Sequence, residues 1–197
     1  REKDVLFTSE LGCVTPWIVC PGTSNEGRWQ QSDIERHAAM LTGAFKSNCS
    51  MNCIAPKVLV LPSEAVWPQR PQFLTALRQS LAQTPQPPPF YPGAHQRYAA
   101  FEKEYPEAEK IEAPASQAPG CGLEVAEYSS QGQDIKILPS LLVDVGTIGE
   151  AGCRTYALQT EAFAPVLAIA TVACSDPKEF PVAAARAVNE HVFGNLG

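Results

Sequence analysis

The chain has 197 residues, of which 45% are hydrophobic, and its formal net charge is −6 at pH 7. That length is enough to bury one sizeable core, so a single domain over residues 1–197 is expected. The negative charge argues against nucleic acid and anionic membrane surfaces as partners. No apolar run is long enough to span a bilayer, so no membrane partner is expected.

Seven cysteines are present, an odd number in a chain longer than typical disulfide-stapled scaffolds. We therefore expect mostly buried, reduced thiols and an intracellular compartment, with the cytoplasm favoured over an organelle. No C-x-x-C pair occurs and the three histidines lie far apart, so no metal site is expected. The chain begins without Met and stops where a loop is starting, which we interpret as an excised domain.

Strand and helix patterns alternate from the start of the chain. Residues 14–20 form an apolar, β-rich run that predicts a strand. Residues 33–47 carry apolar side chains at helical spacing, with Ser32 or Asp33 as a cap. A short buried strand is predicted over 57–61. The first third of the chain therefore has an α/β character.

The later segments continue this alternation. They are helix 72–83, a stiff proline connector over 84–89, helix 93–104, a loop over 112–122, strands 135–138 and 141–145 separated by Pro139, strand 166–172, and helix 178–191. Such alternation is typical of an α/β fold with an open, mostly parallel sheet and helices on both faces. Finding a β-sandwich or a helical bundle would contradict this prediction.

Three separated segments carry side chains suited to one active site. They are Glu10-Leu11-Gly12, Asn48-Cys49-Ser50-Met51-Asn52-Cys53 and Glu161-Ala162-Phe163-Ala164-Pro165. The second segment follows helix 33–47, so it would hold a thiol on a fixed turn, and a thiolate is a strong nucleophile for a carbonyl carbon. Lys46 and Lys57 are candidate cationic neighbours. The simpler alternative is that Cys53 is one more buried thiol.

In this order the three segments resemble the glutamate, cysteine and E-x-F-G-P motifs of the aldehyde dehydrogenase superfamily. The resemblance spans nearly the whole chain and extends to Pro16-Trp17-Ile18-Val19, and to Asn189 with Phe193-Gly194. It implies the catalytic domain of that fold, without the nicotinamide-binding domain and the oligomerisation arm. It also implies an aldehyde substrate, NAD or NADP as cofactor, and a homodimer or homotetramer for the whole protein.

The resemblance assigns roles to five residues. Cys53 is the nucleophile, Glu10 the general base that activates water, and Asn48 the catalytic-site asparagine five residues before Cys53. Glu161 binds the nicotinamide ribose and Phe163 lies near the nicotinamide ring. Glu10 favours hydrolysis of the thioester on Cys53 over acyl transfer to coenzyme A. The alternative for Glu10 and Glu161 is an ordinary surface carboxylate.

This sequence departs from the family pattern at Cys13, Ser50, Met51 and Ala164, three of which replace glycines. Since glycine permits backbone angles and close approaches that other residues do not, the pocket is either remodelled or inactive. A catalytically silent homologue that acts as a binding or assembly module is thus the competing hypothesis. Two weaker patterns are a papain-like order of Cys53, His95 and Asn189, and a glycine-rich turn over residues 146–152.

Overall fold

The computed structural model describes residues 12–22, 28–114 and 136–194. Five strands form one sheet in the order β1-β2-β5-β4-β3. They are β1 (Pro16–Ile18), β2 (Val58–Pro62), β3 (Glu109–Ile111), β4 (Ser140–Thr147) and β5 (Val166–Val172). All neighbouring pairs are parallel except β3 with β4. The central strand, β5, reads V-L-A-I-A-T-V, as expected for a strand covered on both faces.

Helices cover both faces of this sheet. They are α1 (Gln31–Lys46), α2 (Arg70–Gln83), α3 (Ala94–Glu104), the short α4 (Tyr156–Gln159) and α5 (Phe180–His191). Alternate strand residues face opposite sides: Leu59 and Leu61 pack with α1 and α2, while Val58 and Val60 pack with α3, α4 and α5. The prediction of an open, mostly parallel α/β sheet with helices on both faces is confirmed.

The predicted helices and strands lie within two residues of the observed ones at each end, except for the strand over 135–138. The first strand is only three residues long, not residues 14–20. Residues 136–139 have no regular structure, so the predicted strand over 135–138 does not form in its described part. Pro139 lacks the donor that a paired strand would need. Helix α1 begins at Gln31 with Gln30 as its N-cap, and Asp33 occupies the third helical position.

Two elements were not predicted. Strand β3 is an exposed edge strand of three residues, Glu-Lys-Ile, and pairs antiparallel with β4. Helix α4 is a single turn of four residues. Both are too short to produce a hydrophobic period in the sequence. No helix within the described ranges is both long enough and apolar enough to cross a membrane.

Candidate active site

The cysteine and E-x-F segments meet at the amino-terminal edge of three adjacent parallel strands. Residues 12–15 lead into β1, residues 47–57 into β2, and residues 160–165 into β5. Because β1, β2 and β5 are neighbours and run in the same direction, their amino ends share one edge of the sheet. Glu10 lies outside the described residues, but Gly12, two residues later, is part of this edge.

The cysteine segment is an unusual left-handed turn. Helix α1 ends at Lys46, and the 3-10 turn Ser47–Ser50 follows it. Asn48, Cys49 and Ser50 have φ values of 51°, 54° and 60°. Such angles are uncommon outside glycine, and residues held there persist only when their surroundings fix them. The turn thus has to be supported by contacts with the rest of the fold.

Cys53 follows this turn and is exposed. Its carbonyl oxygen accepts a hydrogen bond from the Thr15 hydroxyl, and the Cys13 thiol donates to the same oxygen at 3.5 Å. These contacts tie the backbone of Cys53 to the residues that lead into β1. The thiol is therefore accessible while its backbone is anchored, which is an arrangement suited to a nucleophile.

Cys49 has the opposite environment. Its side chain is 0% exposed, and the Gln86 side-chain amide donates to its sulfur at 3.4 Å. Burial raises the pKa of the Cys49 thiol to about 11, with the hydrogen bond from Gln86 and the nearby Lys46 and Lys57 acting in the other direction. Cys49 is consequently protonated at neutral pH and closed to a substrate.

Lys57 connects the two segments electrostatically. Its side chain is only 3% exposed, and its ammonium group donates to the Ser50 carbonyl and, at 3.2 Å, to the Ser50 hydroxyl. Burial lowers the pKa of Lys57 to about 8, while the charge of Glu161 and then the thiols of Cys13, Cys53 and Cys49 oppose this shift. One buried cation therefore supports the left-handed turn and lies within electrostatic range of both segments.

Lys46, the other predicted cationic neighbour, donates hydrogen bonds to a different part of the chain. Its ammonium group donates to the Leu81 carbonyl at 2.6 Å and also to the Thr84 carbonyl, at the end of α2. Burial lowers the pKa of Lys46 to about 8, opposed by Cys49. Lys46 thus joins the end of α1 to the end of α2 and neighbours the buried cysteine.

Glu161 and Phe163 lie beside these groups. A Cβ atom built on Gly12 would be 2.7 Å from Glu161 Oε2, so the Glu161 carboxylate occupies space that a side chain at position 12 would need. The Phe163 ring has Lys57 Nζ at 5.7 Å from its centroid, and the Tyr91 ring meets it edge-on at 5.4 Å. The third segment is thereby brought against the backbone that follows Glu10.

Three of the residues that depart from the family pattern point into the protein. Ser50 and Ala164 are 0% exposed and Met51 is 2% exposed. Ser50 bonds Lys57, and Met51 packs with Cys49 and Ala94. Ser50 and Met51 are thus part of the support of the turn, while Ala164 belongs to the core beneath the sheet. Asn48, in contrast, is exposed on the turn itself.

Arg97 is a residue of this site that the sequence interpretation missed. It donates to the carbonyls of Ala162 and Phe163, and its guanidinium carbon lies 5.7 Å from the Phe163 ring centroid. A signal was present: Ala94, Arg97, Tyr98 and Phe101 follow the spacing of a helix face turned to the core. An arginine at such a position needs buried acceptors.

Glu161 and Phe163 are the side chains at this edge that could contact a cofactor. The Glu161 carboxylate can accept hydrogen bonds from two sugar hydroxyls, and the half-buried Phe163 ring offers a flat apolar surface next to it.

His95 is the histidine of the papain-like order of residues. Its Nε2 lies 2.9 Å from the Lys136 carbonyl oxygen.

No protein-family model matches the sequence, and no curated protein matches it. Solved structures of aldehyde dehydrogenases do match its fold. The γ-glutamyl-γ-aminobutyraldehyde dehydrogenase of Burkholderia cenocepacia is 17% identical with a TM-score of 0.54, and the match covers 92% of this chain and 32% of that one.

Two further matches are enzymes solved with a cofactor. Indole-3-acetaldehyde dehydrogenase complexed with NAD+ is 17% identical with a TM-score of 0.52, covering 93% of this chain and 37% of that one. The NADP-dependent glyceraldehyde-3-phosphate dehydrogenase of Bacillus halodurans, complexed with NADP, is 14% identical with a TM-score of 0.51, covering 94% and 37%. This chain spans about a third of each of the three structures. It has the fold of that portion of aldehyde dehydrogenases.

Proposed function

We propose that this chain is the cysteine-bearing catalytic domain of an NAD(P)-dependent aldehyde dehydrogenase, which oxidises an aldehyde to a carboxylic acid. The observation that carries the proposal is the exposed Cys53 thiol on an anchored loop. The buried Lys57 lies within electrostatic range of both this thiol and Glu161. The fold shared with aldehyde dehydrogenases supports it. At these identities the shared fold does not determine the reaction, which depends on the residues of the site.

In the proposed reaction the Cys53 sulfur attacks the aldehyde carbon and forms a thiohemiacetal. The developing oxyanion is stabilised in part by the backbone N–H of Cys53, with the exposed Asn48 as a second candidate donor. When bound, the nicotinamide would supply the two-electron chemistry as the hydride acceptor. A thioester on Cys53 remains.

Hydrolysis then completes the reaction. Glu10 takes a proton from water, the hydroxide attacks the thioester carbon, and the carboxylic acid leaves as the Cys53 thiolate is restored. In total an aldehyde, water and NAD(P)+ give an acid, NAD(P)H and a proton. Glu161 and Phe163 hold the nicotinamide-ribose end of the cofactor, while a second domain of the whole protein holds the rest. The whole protein is proposed to be a homodimer or homotetramer, as the resemblance implies.

Lys57 has two effects in this scheme. Its ammonium group fixes the Ser50 carbonyl and so the position of the turn that precedes Cys53. It also lies within electrostatic range of Cys53 and Glu161. A nucleophile on a backbone held in one place is a physical requirement of covalent catalysis.

The test is NAD(P)H formation by the whole protein against a panel of short aliphatic, branched and aromatic aldehydes, with each cofactor in turn. We expect at least one aldehyde to give turnover that stops when the cofactor is omitted. The matched control is the corresponding alcohol panel, which should give none. An intact, folded protein that turns over no aldehyde would favour the silent homologue, a reading consistent with Cys13, Ser50, Met51 and Ala164 at positions where the family pattern differs.

A further inference from the structure

Phe163 has a backbone conformation that its side chain does not favour. Its φ is 41°, in the left-handed region, and it is followed by Ala164 where the family pattern has glycine. A bulky residue in this region is an outlier that the surrounding structure has to impose. The carbonyl groups on either side of the Phe163 Cα therefore need partners that fix their directions.

Arg97 supplies both partners. Its Nε donates to the Ala162 carbonyl at 3.0 Å and its Nη2 donates to the Phe163 carbonyl at 3.2 Å. The Ala162 carbonyl belongs to the peptide plane that sets φ of Phe163, and the Phe163 carbonyl belongs to the plane that sets ψ. A planar guanidinium with donors in a fixed fork can hold two such carbonyls in one relative orientation.

The guanidinium is itself held from the other side. Its Nη1 donates to the Pro92 carbonyl at 3.2 Å. A Cβ atom on Gly93 would lie 2.7 Å from this nitrogen and would displace it, and the φ of 81° at Gly93 favours glycine there. Together with the edge-on Tyr91 ring, the turn before α3 and Arg97 form one support beneath residues 161–163.

The negative charge of Glu161 also acts on the Arg97 guanidinium. Burial lowers the pKa of Arg97, and the negative charge of Glu161 opposes that shift. An arginine guanidinium keeps its charge in proteins. Arg97 thus attracts the Glu161 carboxylate and orients the backbone that carries Phe163.

We propose that Arg97 is a positioning residue that holds Glu161 and Phe163 in the conformation that receives the nicotinamide-ribose end of the cofactor. The role assigned to Arg97 is exerted through residues 161–163, two of whose carbonyl groups it binds. The cofactor part of this proposal rests on the function proposed above. The conformational part stands on the contacts of the described residues alone.

The experiment compares Arg97→Gln and Arg97→Lys with Arg154→Gln in the whole protein. Arg154 is a matched control, because it also donates to a backbone carbonyl, that of Glu104, and stacks over an aromatic ring, that of Tyr105 at 4.1 Å. Hydrogen exchange of a peptide covering residues 160–165 is measured without cofactor. We expect faster exchange in Arg97→Gln, an intermediate rate in Arg97→Lys, and the wild-type rate in Arg154→Gln.

Steady-state kinetics supply the second readout. We expect KM for NAD(P)+ to rise about tenfold to a hundredfold in Arg97→Gln, while KM for the aldehyde changes less than about twofold. Exchange at residues 160–165 equal to wild type in Arg97→Gln would overturn the proposal, as would equal rises in both KM values. If the wild-type protein turns over no aldehyde, the proposed function fails, and the exchange comparison still decides whether Arg97 holds the segment.

Discussion

Cys49 and Cys53 are four residues apart, yet the fold gives their thiols opposite environments. The sequence favoured Cys53 through its spacing from Asn48, and this assignment stays a prediction. The sequence could not show that Cys49 is buried against Gln86, because Gln86 comes 37 residues later in the chain. Side-chain burial within a short turn depends on backbone angles that no hydrophobic period reports.

Lys57 leads to a prediction about stability and pH. Its ordinary pKa is 10.5, and in the folded protein it is about 8. Between these values the unfolded chain binds the proton that the folded protein has released, so the free energy of unfolding rises with pH. Relative to Lys57→Met, the wild-type protein should gain stability from pH 8 to pH 10.5, by about 3 kcal/mol at most.

Urea unfolding of both proteins across this pH range measures the effect. Titration of the cysteines and tyrosines affects both proteins, so the difference between them isolates Lys57. A difference that is constant, or that shrinks as the pH rises, would contradict the environment described for this lysine.

At the scale of elements, long periodic segments were predictable and short ones were not. Strand 166–172 and the helices over 72–83 and 93–104 were found within two residues, because each has many apolar positions at one spacing. Strand β3 and helix α4 have three and four residues, so they depend on neighbours for their structure. The left-handed turn at residues 48–50 had no sequence signal, since it contains no glycine.

Helix α2 gives a test of the packing on one face of the sheet. Leu77 is 0% exposed and lies in the cluster formed with α1 and with strand residues of β2 and β5. Leu77→Ala should lower the free energy of unfolding by about 2–5 kcal/mol, through lost burial and the cavity left behind. Thr75→Ala on the exposed side of the same helix is the control and should change it by less than about 0.5 kcal/mol. Equal effects in denaturant unfolding would mean that α2 does not pack as described.

At the scale of the whole molecule, the candidate site lies on one edge of the domain and has exposed apolar side chains around it. Ile54, next to Cys53, is 76% exposed, and Tyr91, which packs on Phe163, is 48% exposed. An edge of this kind suits a surface that a second domain or a substrate covers. The sequence resemblance named the cysteine and E-x-F segments as parts of one site, which stays a prediction. The edge of the sheet that they share follows from the strand order, which local patterns do not encode.

The proposal therefore predicts what residues 1–197 do alone. In the proposal they supply only Glu161 and Phe163 to one end of the cofactor, and the whole protein supplies the remaining contacts. Isothermal calorimetry of the isolated chain should show no measurable binding of NAD+ or NADP+. Titration of the whole protein is the control and should show binding. Micromolar binding by the isolated chain would contradict this division of the cofactor site.

The most direct test of the central claim is aldehyde-dependent NAD(P)H formation by the whole protein with Cys53→Ser and with Cys49→Ser. Cys53→Ser should abolish turnover, because the serine hydroxyl is a far weaker nucleophile than a thiolate. Cys49→Ser should keep most of it, because the Cys49 thiol is buried and protonated. An inactive Cys49→Ser beside an active Cys53→Ser would contradict the account.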